Sequence, residues 1–80
     1  DSRAYIERAI RLALDNVREG RGGPFGAIVA RNGQVLGEGV NLVTSSNDPT
    51  AHAEVMAIRA ACAAISSFDL SGCEIYASCE

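Results

Sequence analysis

Eighty residues, 48% of them hydrophobic and 21% charged, make one small globular domain at most and argue against a disordered or repetitive chain. No apolar run approaches the length that crosses a bilayer, and the charged opening DSRAYIERAIRLALD is not a secretory signal. A net charge of −3 argues against a nucleic-acid partner, which needs a clustered positive surface. The cations are all arginine, and Arg3, Arg8, Arg11 and Arg18 read as one solvated helix face.

In chain order, residues 2–19 read as an amphipathic helix. Ile6, Ala9, Ile10, Ala13, Leu14 and Val17 form one helical stripe, with Ser2 as N-cap and Gly20 as the stop. The segment GRGGPFGA then breaks the helix and lets backbone approach something closely. Residues 25–30 and 35–40 are short apolar runs. Asn32-Gly33 between them predicts a type I′ hairpin and antiparallel strands. Residues 41–48 read as a polar loop. Asp48 and Pro49 suit the cap and first turn of a second helix over 49–65, so apolar that it should be buried on more than one side. Residues 66–72 read as a turn and 74–78 as a third strand, which a right-handed crossover would place parallel in the same sheet. The expected fold class is an α/β sandwich of order α-β-β-α-β.

Three cysteines, Cys62, Cys73 and Cys79, are an odd number with no CxxC pair. They read as free thiols of a cytoplasmic chain, with Cys62 a small buried residue of the second helix.

The chemistry concentrates in PTAHAEVMAIR, residues 49–59, which holds the single histidine, His52, and Glu54 two positions on. Residues two apart point about 200° away from each other mid-helix. At a first turn they can converge over the helix end. The positive end of a helix dipole favours neutral over cationic side chains, and neutral imidazole is the form that binds metal. A carboxylate beside a metal site can move protons to and from water. One histidine does not hold a catalytic zinc, which takes three protein ligands and an open position. On spacing alone a hydrogen-bonded or surface histidine remains the simpler reading.

His-x-Glu followed later by Pro-Cys-x-x-Cys is the signature of zinc nucleobase deaminases. Here His52-Ala53-Glu54 matches its first half, and the terminal YASCE is similar to the strand that leads into the second. Through GGPFGAIV, TSSNDPTAHAEVMAIR and YASCE, the whole chain resembles the N-terminal half of the cytidine deaminase-like superfamily, and within it the bacterial-type guanine deaminases. The tRNA adenosine deaminases share DPTAHAE but usually carry valine where this chain has Phe25, and threonine-leucine-glutamate where it has Ser78-Cys79-Glu80.

The resemblance implies a three-layer α/β/α fold, truncated, with residues 1–80 as the N-terminal part of a single deaminase domain. It implies zinc as cofactor, with His52 as one ligand and two cysteines beyond Glu80 as the others. Cys79 matches a position that is not a ligand. Glu54 is then the proton shuttle. Asn41 bonds the base edge, Phe25 stacks on the base, the Ala53 backbone donates to a base carbonyl, and the Glu80 carbonyl lies near the leaving amine. The implied reaction takes guanine to xanthine and ammonia. The implied partner is a small purine base, and the complete protein is expected to be a homodimer. Two other readings stay open: a deaminase of tRNA adenosine or another base, and a non-catalytic deaminase-like subunit. From residues alone, Phe25 reads first as a core aromatic, and Asn41 could simply cap a turn.

Overall fold

The structure, a computed structural model, describes residues 2–78. Helix α1 spans Ser2–Arg18, strand β1 Gly26–Arg31 and strand β2 Gln34–Val40. A short helix α2 (Val43–Ser46) precedes helix α3 (Ala53–Ile65) and strand β3 (Glu74–Ala77). The strands form one sheet in the order β2-β1-β3, with α1 packed on one face and α3 on the other. This is the expected three-layer sandwich. The hairpin turn also holds, with φ of 52° at Asn32 and 76° at Gly33.

Strand β1 is the centre of the molecule. Ala27, Ile28, Val29 and Ala30 are all buried, because neighbours cover both edges and helices cover both faces. Ala27 and Val29 face α3, where Ala53, Ala57 and Ala61 form a stripe at four-residue spacing. Ile28 and Ala30 face α1.

The α3 stripe lies almost directly on the backbone of β2. A Cβ added at Gly37 would stand 2.5 Å from the Ala61 nitrogen and 2.6 Å from the Ala57 carbonyl oxygen. One added at Gly39 would overlap the Ala53 carbonyl oxygen and the Ala57 nitrogen. Only glycine permits that approach.

Four expectations fail in whole or in part, each for a local reason. First, β3 runs parallel to β2 in the same sheet, as expected of a crossover, but does not pair with it. It lies antiparallel to β1, with Ala27 opposite Ala77 and Ala30 opposite Glu74. Helix α3 rests on both β1 and β2, so the crossover carries the chain past β1 to its free edge.

Second, α1 buries only the alanine edge of the expected stripe, together with Asn16. Ala9, Ala13 and Asn16 are inside, whereas Ile6, Ile10, Leu14 and Val17 are 43–52% exposed. The helix passes close to Gly26, where an added Cβ would overlap the Ala9 carbonyl oxygen, and such an approach selects small residues. The expected N-cap Ser2 is already helical. Gly20, with φ of 72°, does end the helix.

Third, the polar loop contains α2, closed by Asn47 at φ 54°. Helix α3 begins at Ala53, four residues later than expected, with His52 as N-cap. Asp48 and Pro49 belong to a preceding turn. There the Asp48 carboxylate accepts the Thr50 N–H at 2.9 Å and the Thr50 hydroxyl at 2.7 Å. Arg59 reaches back to Thr50 Oγ1 at 3.3 Å and to Asp48 at 3.8 Å, tying the turn to α3. An aspartate followed by Pro-Thr closes a turn on itself before the helix starts.

Fourth, α3 buries only its alanine stripe among the described residues. Ile58 is 40% exposed and Cys62 is half-buried.

Two outcomes are expected. Gly39→Ala overpacks the α3–β2 contact and destabilises the full-length protein by about 3 kcal/mol or more. Gly20→Ala, in open space, costs only the left-handed backbone penalty of about 1–2 kcal/mol. Urea unfolding compares them, and equal losses would mean a looser contact. The Thr50 hydroxyl and N–H, with Arg59, hold the Asp48 carboxyl below its ordinary value of 3.8. A lowered folded-state pKa gives stability that is complete above 3.8 and declines as pH falls through the folded value. Asp48→Asn keeps the turn acceptor but should flatten that acid limb in denaturation midpoints taken from neutral pH to pH 3.

Candidate functional site

One end of the sheet opens into a cavity of about 300 Å³ lined by Phe25, Gly26, Asn41, His52, Ala53, Glu54, Ala77 and Ser78. Its walls come from four places: the start of β1, the end of β2, the start of α3 and the end of β3. Five of the residues singled out in the sequence meet here, namely Phe25, Asn41, His52, Ala53 and Glu54. Glu80 and Cys79 lie outside the described residues.

A larger depression of about 510 Å³ runs along the free edge of β2, between Leu12 on one side and Met56 and Arg59 on the other. Its charged groups are already paired: Arg21 with Glu19, Glu38 with Arg8, and Arg59 with Asp48. The smaller cavity is therefore the better candidate, because its polar groups converge without being spent on each other.

His52 stands at the hinge between turn and helix. Its backbone is extended, with φ of −72° and ψ of 155°, and its N–H donates to the Thr50 carbonyl at 2.8 Å. Its own carbonyl accepts the Met56 N–H at 2.9 Å, the first bond of α3. The imidazole makes no capping hydrogen bond, so it is not committed to the helix. Glu54 follows in the first turn, and both side chains are solvent-exposed while lining the same cavity. Helix geometry leaves the first N–H groups without intrahelical acceptors. Those of Ala53 and Glu54 are therefore donors at the cavity wall.

Asn41 caps a turn, as one of its sequence readings had it, and also lines the cavity. Its Oδ1 accepts the Val43 N–H at 3.2 Å, capping the turn. Its backbone N–H donates to the Phe25 carbonyl at 3.2 Å, so these two residues share one edge of the site. Phe25 is half-buried and packs against the α3-side core while lining the cavity.

Two side chains that sequence reasoning passed over hold this arrangement. Ser78 is buried at the floor of the cavity. Its Oγ accepts the Gly26 N–H at 2.9 Å, and its backbone N–H donates to the Gly26 carbonyl at 2.9 Å. Asn16 is fully buried under the loop that carries Phe25. Its position was findable, since it lies three and seven residues beyond Ala13 and Ala9 on one helix face. A carboxamide on a face of alanines is a signal that large apolar neighbours hid.

Among the described residues no group of three or more His, Cys, Asp or Glu side chains comes together. A catalytic zinc takes three protein ligands, and His52, an exposed and uncommitted imidazole at the cavity wall, fits the part of one of them. No helix among the described residues is long and apolar enough to cross a membrane.

Known proteins add the rest. The chain is 51% identical over 76 residues to the guanine deaminase of Bacillus subtilis, covering 95% of this chain and 49% of that protein. It is 42% identical over 76 residues to the tRNA-specific adenosine deaminase of Aquifex aeolicus, covering 95% and 50%. The crystal structure of the Bacillus subtilis guanine deaminase superposes with a TM-score of 0.96 at 49% identity, over all of this chain and 51% of that one. NE0047, solved in complex with 2,6-diaminopurine, superposes at 0.92 with 31% identity, over 100% and 46%. The chain thus spans about half the length of the relatives it matches. The sequence model described as the cytidine and deoxycytidylate deaminase zinc-binding region matches residues 1–80. With every residue inside that match and the sandwich superposing on a solved relative, the chain belongs to the cytidine and deoxycytidylate deaminase zinc-binding family.

Proposed function

We propose that these residues form the base-binding half of a zinc-dependent guanine deaminase, a cytoplasmic enzyme that converts guanine and water to xanthine and ammonia. The observation that carries this reading is the convergence of Phe25, Asn41, His52, Ala53 and Glu54 on one cavity. The likeness to the Bacillus subtilis guanine deaminase supports the choice of base. The charge of −3 disfavours an RNA backbone as the larger ligand. Free Cys62 and Cys73 suit a reducing compartment.

The residues divide the work by wall. The Phe25 ring covers one face of the purine. The Asn41 Nδ2 donates to an acceptor on the base edge, and the Ala53 N–H donates to the base carbonyl. His52 holds zinc together with two ligands from outside the described residues. Bound there, zinc supplies a nucleophilic water at neutral pH. Glu54 accepts the water proton as oxygen adds to the carbon bearing the amine. It passes that proton to a ring nitrogen, then takes the second proton from the added hydroxyl and gives it to the departing nitrogen, which leaves as ammonia as the carbonyl forms. Both transfers need a carboxylate free of structural duties, and Glu54, exposed in the first turn of α3, has that freedom.

The test uses the full-length protein. Guanine turnover without deamination of tRNA supports the proposal, and the reverse pattern removes it in favour of the adenosine reading. Glu54→Gln should retain zinc and lose about 10²–10⁴ in kcat. His52→Ala should lose metal and turnover together. An active variant at either position would cancel the role given to it.

A further inference from the structure

We infer that Asn16, a residue that does not line the cavity, is a positioning residue that sets the distance between its Phe25 and Asn41 walls. The inference deepens the deaminase reading and rests on it for the nature of the ligand.

Asn16 lies in the last part of α1 with no exposed surface. Its Nδ2 donates to two carbonyls, that of Gly23 at 2.9 Å and that of Asn41 at 2.8 Å. The first belongs to the loop entering β1, the second to the residue leaving β2. One amino group thus ties two segments that arrive from opposite directions.

Both carbonyls sit one step from the ligand-facing groups. The Gly23 carbonyl also accepts the Phe25 N–H at 2.9 Å, which closes the turn that presents the Phe25 ring. Asn41 donates its N–H to the Phe25 carbonyl while its own carbonyl is held by Asn16. The linkage has no slack. A Cβ at Gly22 would overlap the Asn41 carbonyl oxygen and stand 3.3 Å from the Asn16 Nδ2.

Asn16 Oδ1 is buried and has no hydrogen-bond partner among the described residues. Its Nδ2 is committed to the two walls. Asn16 makes no contact of this kind with α3, which carries His52 and Glu54. Its loss should therefore disturb where the base sits more than how protons move.

Asn16→Asp keeps the shape and removes the amide donors. Asn16→Ser, too short to span both carbonyls, serves if the aspartate variant does not fold. In the full-length protein, with guanine as substrate, KM should rise at least about tenfold while kcat changes much less and zinc content stays at the wild-type level. Amide exchange at Phe25 and Asn41 should accelerate beyond any change at Ile28 in the core. An unchanged KM with a lower unfolding midpoint, or exchange that rises equally at all three amides, overturns the inference. If the wild-type protein turns over no guanine, the functional proposal fails separately, and the exchange comparison alone decides the role of Asn16.

Discussion

The arrangement rests on one contact, the seam where Ala53, Ala57 and Ala61 of α3 lie on Gly37 and Gly39 of β2. Glycine facing alanine lets a helix axis come very near a strand. Each buried methyl contributes only roughly 0.8 kcal/mol by leaving water. The larger effect is geometric. Closing the seam seals Ala27 and Val29 of β1 and fixes the height at which α3 begins. That beginning is His52, and the next exposed side chain is Glu54. Sheet packing and chemistry are therefore set by the same few small residues.

A second layer of constraint is polar and lies at the opposite wall. The Phe25–Gly26 segment is gripped from three directions: by Ser78 through the Gly26 N–H, by Asn41 through the Phe25 carbonyl, and by Asn16 through the Gly23 carbonyl beneath the loop. Backbone groups left over where strands end thus find partners in side chains of distant elements. The same bonds that satisfy these groups orient the cavity. On the α3 side, the Asp48–Thr50–Arg59 network holds the turn before His52, so both walls are anchored outside the cavity itself.

Much of this was legible in the residues. Asn32-Gly33 specified its turn because few dipeptides tolerate two positive φ values. His52-Ala53-Glu54 drew notice only through the resemblance that spans the chain, since spacing alone left His52 a surface histidine. The remainder depended on tertiary distance, which periodicity does not encode. Ile6, Ile10, Leu14 and Val17 form the better apolar stripe, yet α1 turns its alanines inward because Gly26 demands a close approach. The start of α3 was misplaced because an Asp-Pro pair caps a turn and a helix equally well, and Thr50 decided between them. The partner of β3 was missed because a crossover can pass over a strand and leave no trace in the sequence. Asn16 was overlooked because its neighbours on the helix drew attention to the other edge of the stripe.

The glycine–alanine seam also governs how the molecule responds to change. Glycine and alanine have no side-chain rotamers with which to absorb an intrusion, so the contact has a single setting and no alternative repacking. An added methyl cannot be accommodated locally; it must displace α3 as a rigid rod. Such a displacement carries His52 and Glu54 away from Phe25 and Asn41 together, leaving each side chain well formed but at the wrong separation. Substitutions far from the cavity would then act as spacers, and the sheet–helix gap becomes the natural ruler by which the width of the site is set.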